Sequence, residues 1–325
     1  MKFRRIKLPV FLLIAICLLS FQTGCRKKRA ERPKKPAARL SESTKNIKIE
    51  DLLPKNNVVT GKLKREIPEK VMNEYMYGTL AGQYGKVDTA EEYLLKTIKM
   101  EPLFVDAHHN LGLAYYKQGR IDEAVKCWRK TLELAPNYAE AYYNLSIFMM
   151  ALGRTDDAIK LLDVCTQYEP FHLKARYALG TIAKKSGQNK EAIKHFRAYQ
   201  NKDKGDPRVL IALGELYLLE GQEDASLKEF ESAARIDEKN GKVQYQLGVA
   251  YHKRGLLDHA IINYKRASEL LPNNVDPYIN LGDIYASRGE YASALASYNT
   301  ALSIDPTNAY ASRRAKQAEN RLLEQ

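Results

Sequence analysis

The sequence predicts an all-α solenoid of seven helix-turn-helix units closed by one further helix, and three observations carry that prediction. Seven glycines, Gly85, Gly119, Gly153, Gly187, Gly221, Gly255 and Gly289, stand 34 residues apart, and the period holds without insertion across residues 71–308. Small residues recur in the same frame. Seven positions before each of those glycines stands Gly78, Gly112, Ser146, Gly180, Gly214, Gly248 or Gly282, and five after it stands Ala90, Ala124, Ala158, Ala192, Ser226, Ala260 or Ala294. The apolar residues between these marks fall at helical spacing, as in Leu111, Ala114 and Tyr115 and then Ala124, Trp128 and Leu132. Stacked units of this kind build binding surfaces far more often than active sites.

The chain begins as a different object. Lys2, Arg4, Arg5 and Lys7 precede an apolar run from Leu8 to Phe21, followed by Gln22-Thr23-Gly24-Cys25. A membrane span needs about twenty apolar residues, so the shorter run predicts a secretory signal over 1–24. The Gly-Cys pair resembles a lipobox, which implies lipid attachment at Cys25 and a bacterial lipoprotein; Gln22 stands where that pattern usually has an aliphatic residue. An uncleaved anchor is the alternative, because Arg26, Lys27, Lys28 and Arg29 would hold their flank in the cytoplasm. Residues 25–70 carry Pro33, Pro36, Pro54 and Pro68 without a sustained period and predict a basic, extended tether. The apolar Ile47, Ile49, Leu52 and Leu53 are expected to be an incidental part of it, with folding onto the first repeat or a partner as the alternative.

The repeats then divide into 71–104, 105–138, 139–172, 173–206, 207–240, 241–274 and 275–308. The turn glycine of each lies just past the first helix, where a left-handed backbone penalises any Cβ. Asp88, Asp122, Asp156, Asp224 and Asp258 follow three residues later and are expected to cap the second helix. The earlier glycine and the later alanine mark the place where the two helices cross closely. Pro102, Pro136, Pro170, Pro272 and Pro306 close five of the units, since proline cannot continue the ladder. Residues 309–325 predict a capping helix that covers the last repeat with Tyr310, Ala311, Ala315, Ala318 and Leu322, while Arg313, Arg314, Lys316 and Glu319 face water.

In this frame residues 105–138, VDAHHNLGLAYYKQGRIDEAVKCWRKTLELAPNY, resemble the tetratricopeptide (TPR) consensus at nearly every signature position. Unit one departs most, with Ala81 and Leu94 where aromatic residues are usual. The resemblance implies a right-handed superhelical α-solenoid whose first helices line a concave groove through positions 2, 5, 6, 9, 12 and 13 of each unit. Read onto this chain, those positions make Tyr75, His109, Leu113, Tyr116, Tyr143, Ile147, Met150 and Tyr177 an aromatic and apolar half over units one to four. Arg208, Glu215, Lys242, Tyr245, His252, Asp276 and Asp283 make a charged half over units five to seven. Asn110, Asn144 and Asn280, with Gln246, occupy position 6, where relatives that bind extended peptides use an amide as donor and acceptor to the backbone. The clamp by which some TPR domains grip a C-terminal carboxylate is absent: no unit has Lys at position 5, and Ala178 stands where its arginine would follow Lys174.

The formal charge of +13 is concentrated at the start: residues 1–39 hold twelve Lys and Arg against Glu31 alone, which leaves +2 for residues 40–325. That distribution gives the repeats no basic stripe of the kind nucleic acid requires and places the charge where anionic headgroups would attract it. Cys17 lies in the signal, Cys25 is the lipid candidate, and Cys127 and Cys165 sit at different frame positions, so no disulfide framework is expected. The chain contains no HExxH, CxxC, GxSxG or Walker A sequence, and its six histidines are scattered. The sequence therefore points to a protein without catalytic residues, cofactor or metal, whose partners are other proteins or extended peptide segments and, through the lipid and basic tether, a membrane. The layout resembles bacterial TPR lipoproteins such as pilotins and adaptors of cell-wall hydrolases. It implies a membrane-tethered extracytoplasmic scaffold in the cell envelope, on the periplasmic face of the outer membrane because Arg26 is not the aspartate of the inner-membrane sorting rule. A cytoplasm-facing membrane-anchored TPR scaffold is the alternative.

Overall fold

Fifteen long helices follow one another in the computed structural model, which describes residues 40–54 and 67–324. The signal at 1–24, Cys25 and most of the 25–70 tether lie outside the described residues. The helices are α1 (Glu69–Gln83), α2 (Val87–Met100), α3 (Val105–Gln118), α4 (Ile121–Leu134), α5 (Ala139–Ala151), α6 (Thr155–Tyr168), α7 (Leu173–Lys185), α8 (Asn189–Gln200), α9 (Pro207–Leu219), α10 (Glu223–Ile236), α11 (Gly241–Lys253), α12 (Leu257–Leu270), α13 (Asp276–Ser287), α14 (Tyr291–Ile304) and α15 (Ala309–Leu323). Successive pairs form seven hairpins stacked in chain order, and α15 packs on α14. No strand occurs among the described residues.

The frame glycines do what the period requires. All seven have positive φ, from 69° at Gly221 to 81° at Gly119, and no other residue type among the described residues does. At Gly119 the left-handed turn lets its N–H reach Tyr116 O at 3.0 Å and the N–H of Arg120 reach Tyr115 O at 2.9 Å, closing α3. The earlier small residue makes room for a ring. A Cβ on Gly112 would lie 2.5 Å from Trp128 Nε1, and one on Gly214 would lie 2.7 Å from the Phe230 ring. The second helix thus lays its largest side chain over the first helix's bare backbone, and Trp128 and Phe230 are fully buried as a result.

The aspartates after the turns are not caps. The residues that precede α2, α4, α6, α10 and α12 are Lys86, Arg120, Arg154, Gln222 and Leu256, none of which makes a side-chain cap bond. Each aspartate sits inside the first turn, where it favours the helix through the dipole. Three of them also reach the next repeat. Asp88 accepts from Gln118, Asp224 pairs with Arg254, and Asp258 accepts from Arg288. Side-chain caps occur instead on the first helices, at His172, Asp206, Asn240 and on α15 at Asn308.

Residues 40–53 correct the expectation of a featureless tether. They form a strap: a helical turn at Glu42–Lys45 capped by Ser41, then a 3-10 turn at Ile49–Asp51. Ile47, Ile49 and Leu52 are buried in the same cluster as Val125, Leu161 and Leu162. The Ser41 N–H donates to Asp122 Oδ2 at 3.0 Å, and the Arg154 guanidinium donates to Ile47 O at 2.7 Å. The strap fills a gap in the repeat's own bonding. Asp122 has no clip to the following unit because Leu152 stands where Gln118, Arg254 and Arg288 stand elsewhere, and a backbone N–H of the strap takes that place.

The buried core is continuous from Ile47 to Leu179, across the strap and units one to three into α7. Beyond it the core divides into smaller clusters, such as Leu218, Leu227, Phe230, Leu247 and Ala250, or Ala294, Tyr298, Ala315 and Ala318.

Candidate partner-binding groove

The first helices of successive units lie side by side and are joined by a repeated bond. Asn110 Nδ2 donates to Tyr75 OH at 3.0 Å and to Thr79 Oγ1 at 3.3 Å. Asn144 Nδ2 lies 2.9 Å from His109 Nε2, and Asn280 Nδ2 donates to Tyr245 OH at 3.1 Å. The asparagine row, expected to grip a peptide backbone, spends donors on bracing each unit to the one before it. Gln246 makes no such brace, since position 5 of the preceding unit is Ile211. The brace also fails in the middle: Ala178 and Ala212 occupy position 6 of units four and five. Tyr143 and Tyr177, which would receive it, make no hydroxyl hydrogen bond among the described residues.

Around that interruption the sequence-derived residues do assemble, though not as an open apolar patch. Tyr116 is 40% exposed, with its ring centroid 5.8 Å from that of Trp128. Leu113, Tyr143 and Met150 are half-buried against the continuous core and form a floor beneath it, and Ile147 is half-buried on the same helix as Tyr143. Lys174 Nζ stands 5.5 Å from the Tyr143 ring centroid, and Arg208 stands 4.9 Å from that of Tyr177. Tyr75 is half-buried, 4.7 Å from Phe104. His109 is a correction: only 6% exposed, it packs at 4.9 Å on Tyr138 and bonds Asn144, so it supports the groove from below. Burial lowers its imidazole pKa and keeps the ring neutral.

The charged half is largely paired within itself. Glu215 bridges Lys184 and Lys242, the latter at 3.3 Å. Asp283 accepts from Tyr298 OH at 2.6 Å, Tyr310 OH at 3.0 Å and Arg314 Nε at 3.1 Å, so it fastens the closing helix. Asp206, buried at the start of α9, accepts from the Arg208 guanidinium at 2.6 Å, Tyr199 OH at 2.7 Å and the Arg208 N–H at 2.9 Å. Those bonds, the Arg208 side chain first, hold its carboxyl down at about 2. In unit three the Glu140 carboxyl is likewise held at about 2 by His172, 3.5 Å away, and then by Lys174 at 3.2 Å.

One feature of this face has no counterpart among the sequence-derived residues. A cavity of about 200 Å³ opens between α1, α2 and α3, lined by Gly78, Thr79, Gly82, Gln83, Val87, Ala90, Leu94, Asn110, Leu113, Ala114 and Lys117. Its signals in the sequence are Gly82, which stands at the frame position of Tyr116, and Leu94, which stands at that of Trp128. Elsewhere Cys127 and Cys165 are free, and burial pushes each thiol up to about 12, so both are protonated at neutral pH. Among the described residues no three His, Cys, Asp or Glu side chains gather as metal ligands would.

Stacked helical hairpins with a polar and aromatic inner face define a repeat scaffold for binding other polypeptides. Models described as tetratricopeptide repeat match residues 105–138, 127–160 and 177–241, and one described as TPR repeat matches 251–287 and 282–313. Together they span more than half of the sequence. The chain belongs to the tetratricopeptide-repeat family. Among solved structures, YrrB, described as a TPR protein with an unusual peptide-binding site, is 21% identical, with 59% of this chain and 99% of YrrB covered at a TM-score of 0.55. The C-terminal part of a TPR repeat-containing protein from Cytophaga hutchinsonii is 15% identical, with 74% and 98% covered at 0.58. No curated protein matches the chain.

Proposed function

We propose that the protein is a non-catalytic, membrane-tethered adaptor that binds an extended segment of a partner protein across units two to four of its groove. The observation that carries this reading is the interrupted brace. Ala178 and Ala212 leave the Tyr143 and Tyr177 hydroxyls without internal partners beside the exposed Tyr116, where an incoming chain supplies the missing hydrogen bonds. Exposed tyrosines flanked by apolar floor are the usual anchors of such contacts. The self-paired charges of units five to seven offer a partner less, because each pair must be broken before it binds anything else.

Tethering rests on the sequence of the first 39 residues. No helix among the described residues is long and apolar enough to cross a membrane. In this reading Cys25 carries the lipid, the basic residues from Arg26 to Arg39 lie against anionic headgroups, and the repeats face the periplasm from the outer membrane. Labelled palmitate tests the anchor: incorporation lost in Cys25→Ser, with release from membranes, supports it. Membrane retention without label supports the second reading, a cytoplasm-facing scaffold on a spanning anchor, which the Arg26–Arg29 cluster favours. Photo-cross-linking from position 116 in cells tests the groove, and label confined to copies of this chain would count against an adaptor role.

A further inference from the structure

We propose that the cavity between α1, α2 and α3 is a side-chain pocket of the groove that receives an aromatic ring, tyrosine foremost, from the bound peptide. This rests on the groove reading and adds the chemistry of one partner residue.

The repeat supplies its own template for the occupant. In unit two, position 12 is Tyr116 and position 24 is Trp128, and the two rings lie 5.8 Å apart. In unit six the same positions hold His252 and Tyr264, 6.4 Å apart and edge-on. In unit one they hold Gly82 and Leu94. Unit three also carries a leucine at position 24, Leu162, but sets Met150 at position 12, and unit seven pairs Ala286 with Tyr298. Only unit one therefore combines a leucine at position 24 with no side chain at position 12. The cavity of about 200 Å³ lies against both Gly82 and Leu94. Gly82 is open toward it, since a Cβ built there would meet nothing closer than Ala90 Cβ at 3.6 Å. Gly78, by contrast, is closed off by Leu94, which a Cβ would approach to 2.9 Å. An aliphatic cavity of about 150 Å³ holds a benzene ring in another protein, so the volume suffices.

The walls fit an aromatic ring chemically as well as in size. Val87, Ala90, Leu94, Leu113 and Ala114 are apolar, and they bury a ring's faces at a gain of about 25 cal/mol per Å². At the mouth, Lys117 Nζ donates to Gly82 O at 3.0 Å, which fixes an ammonium beside the opening. An ammonium so placed attracts the negative face of an entering ring, as Lys174 does for Tyr143 within this same face. The pocket also continues the groove, because Asn110 and Leu113 belong to both.

The test uses the full chain in lipid nanodiscs and two probes, acetyl-Ala-Tyr-Ala-amide and acetyl-Ala-Ala-Ala-amide, read by methyl NMR at Val87, Leu94 and Leu113. The tyrosine peptide should shift these methyls saturably and the alanine peptide should not. Gly82→Tyr, which gives unit one the ring that unit two already has, should weaken the tyrosine peptide at least tenfold with an unchanged helical signal. Leu94→Trp fills the cavity from its floor and should do the same, which keeps the test intact if either variant folds poorly. Equal titrations in wild type and both variants, or equal shifts from the two peptides, overturn the proposal. Partner cross-linking in cells, with the photo-probe at position 147, separates it from the groove reading. If the Tyr116→Ala/Tyr143→Ala pair loses cross-linking while Gly82→Tyr retains both cross-linking and peptide binding, the pocket falls and the groove stands. If Gly82→Tyr loses the peptide while the tyrosine pair retains cross-linking, the pocket stands and the groove reading falls.

Discussion

Units one to three and units five to seven follow one 34-residue frame and differ in how far their apolar core runs without a break. In the first region a single buried core runs from the strap to Leu179, with Trp128, Tyr142, Leu145 and Met149 all essentially inaccessible. Carboxylates join units in both regions, Glu91 with Arg120 at 2.8 Å in the first and Glu215 between Lys184 and Lys242, Asp258 with Arg288 and Asp283 with Tyr310 and Arg314 in the second. What differs is that the second region's apolar clusters straddle one junction each. A periodic sequence thus fixes the hairpin but leaves open how far the core is shared. A shared core couples several units, whereas ion pairs couple neighbours only, and exposed pairs contribute about 0–1 kcal/mol each.

The largest expected effect breaks the continuous core. Trp128→Ala should cost about 3–5 kcal/mol, and native-state hydrogen exchange should rise together in the strap and units one to three. Phe230→Ala should cost a similar amount, with accelerated exchange confined to units five and six. Exchange after Trp128→Ala that stays within unit two would erase the distinction between the regions. Next in size is the binding contrast. Replacing Tyr116 and Tyr143 by Ala should weaken partner capture by at least about 2 kcal/mol, roughly thirtyfold, while Lys242→Ala changes it little. The reverse pattern would move the contact surface to the charged half. Gly187→Val, at φ 70° with open space around the missing Cβ, isolates backbone strain at the seam of the two regions. A loss of about 1–3 kcal/mol in thermal unfolding is expected, and no loss would show that the seam yields.

The smallest effect is a titration. Asp206 has its folded pKa depressed from 3.8 to about 2, so its contribution is present above pH about 4 and is lost as pH falls toward 2. Because Arg208, its main partner, is mostly exposed, we expect about 1 kcal/mol rather than the full value of the shift. Asp206→Asn keeps the helix cap and should flatten urea midpoints over that window. A midpoint that falls as steeply in Asp206→Asn as in wild type would assign the acid sensitivity elsewhere.

The fold was legible because the frame is made of steric demands: Gly119 must turn left-handed, and Gly112 must admit Trp128. What escaped the sequence lacked a period. The strap has none, and Ile47 and Ile49 become informative only once Leu152 is seen to deprive Asp122 of its clip. The aspartate caps failed because an N-cap and an N-terminal first-turn residue look alike at this spacing, two positions apart. In the groove, frame position assigns Tyr116 and Tyr143 to their helices, but burial follows neighbours. His109 goes under Tyr138, and Tyr177 under Arg208. The cavity at Gly82 is written as an absence, legible only when unit one is compared with unit two.

The strap also sets a length. It docks residues 40–53 on the repeats, so the docked part of the chain begins at Leu40, fifteen residues after Cys25, rather than at Ile67, about forty residues after it. At no more than about 3.6 Å per residue, the fully extended reach falls from roughly 150 Å to roughly 50 Å. A lipid on Cys25 would then keep the strap within that distance of the membrane surface, and a partner held well beyond it would be out of range.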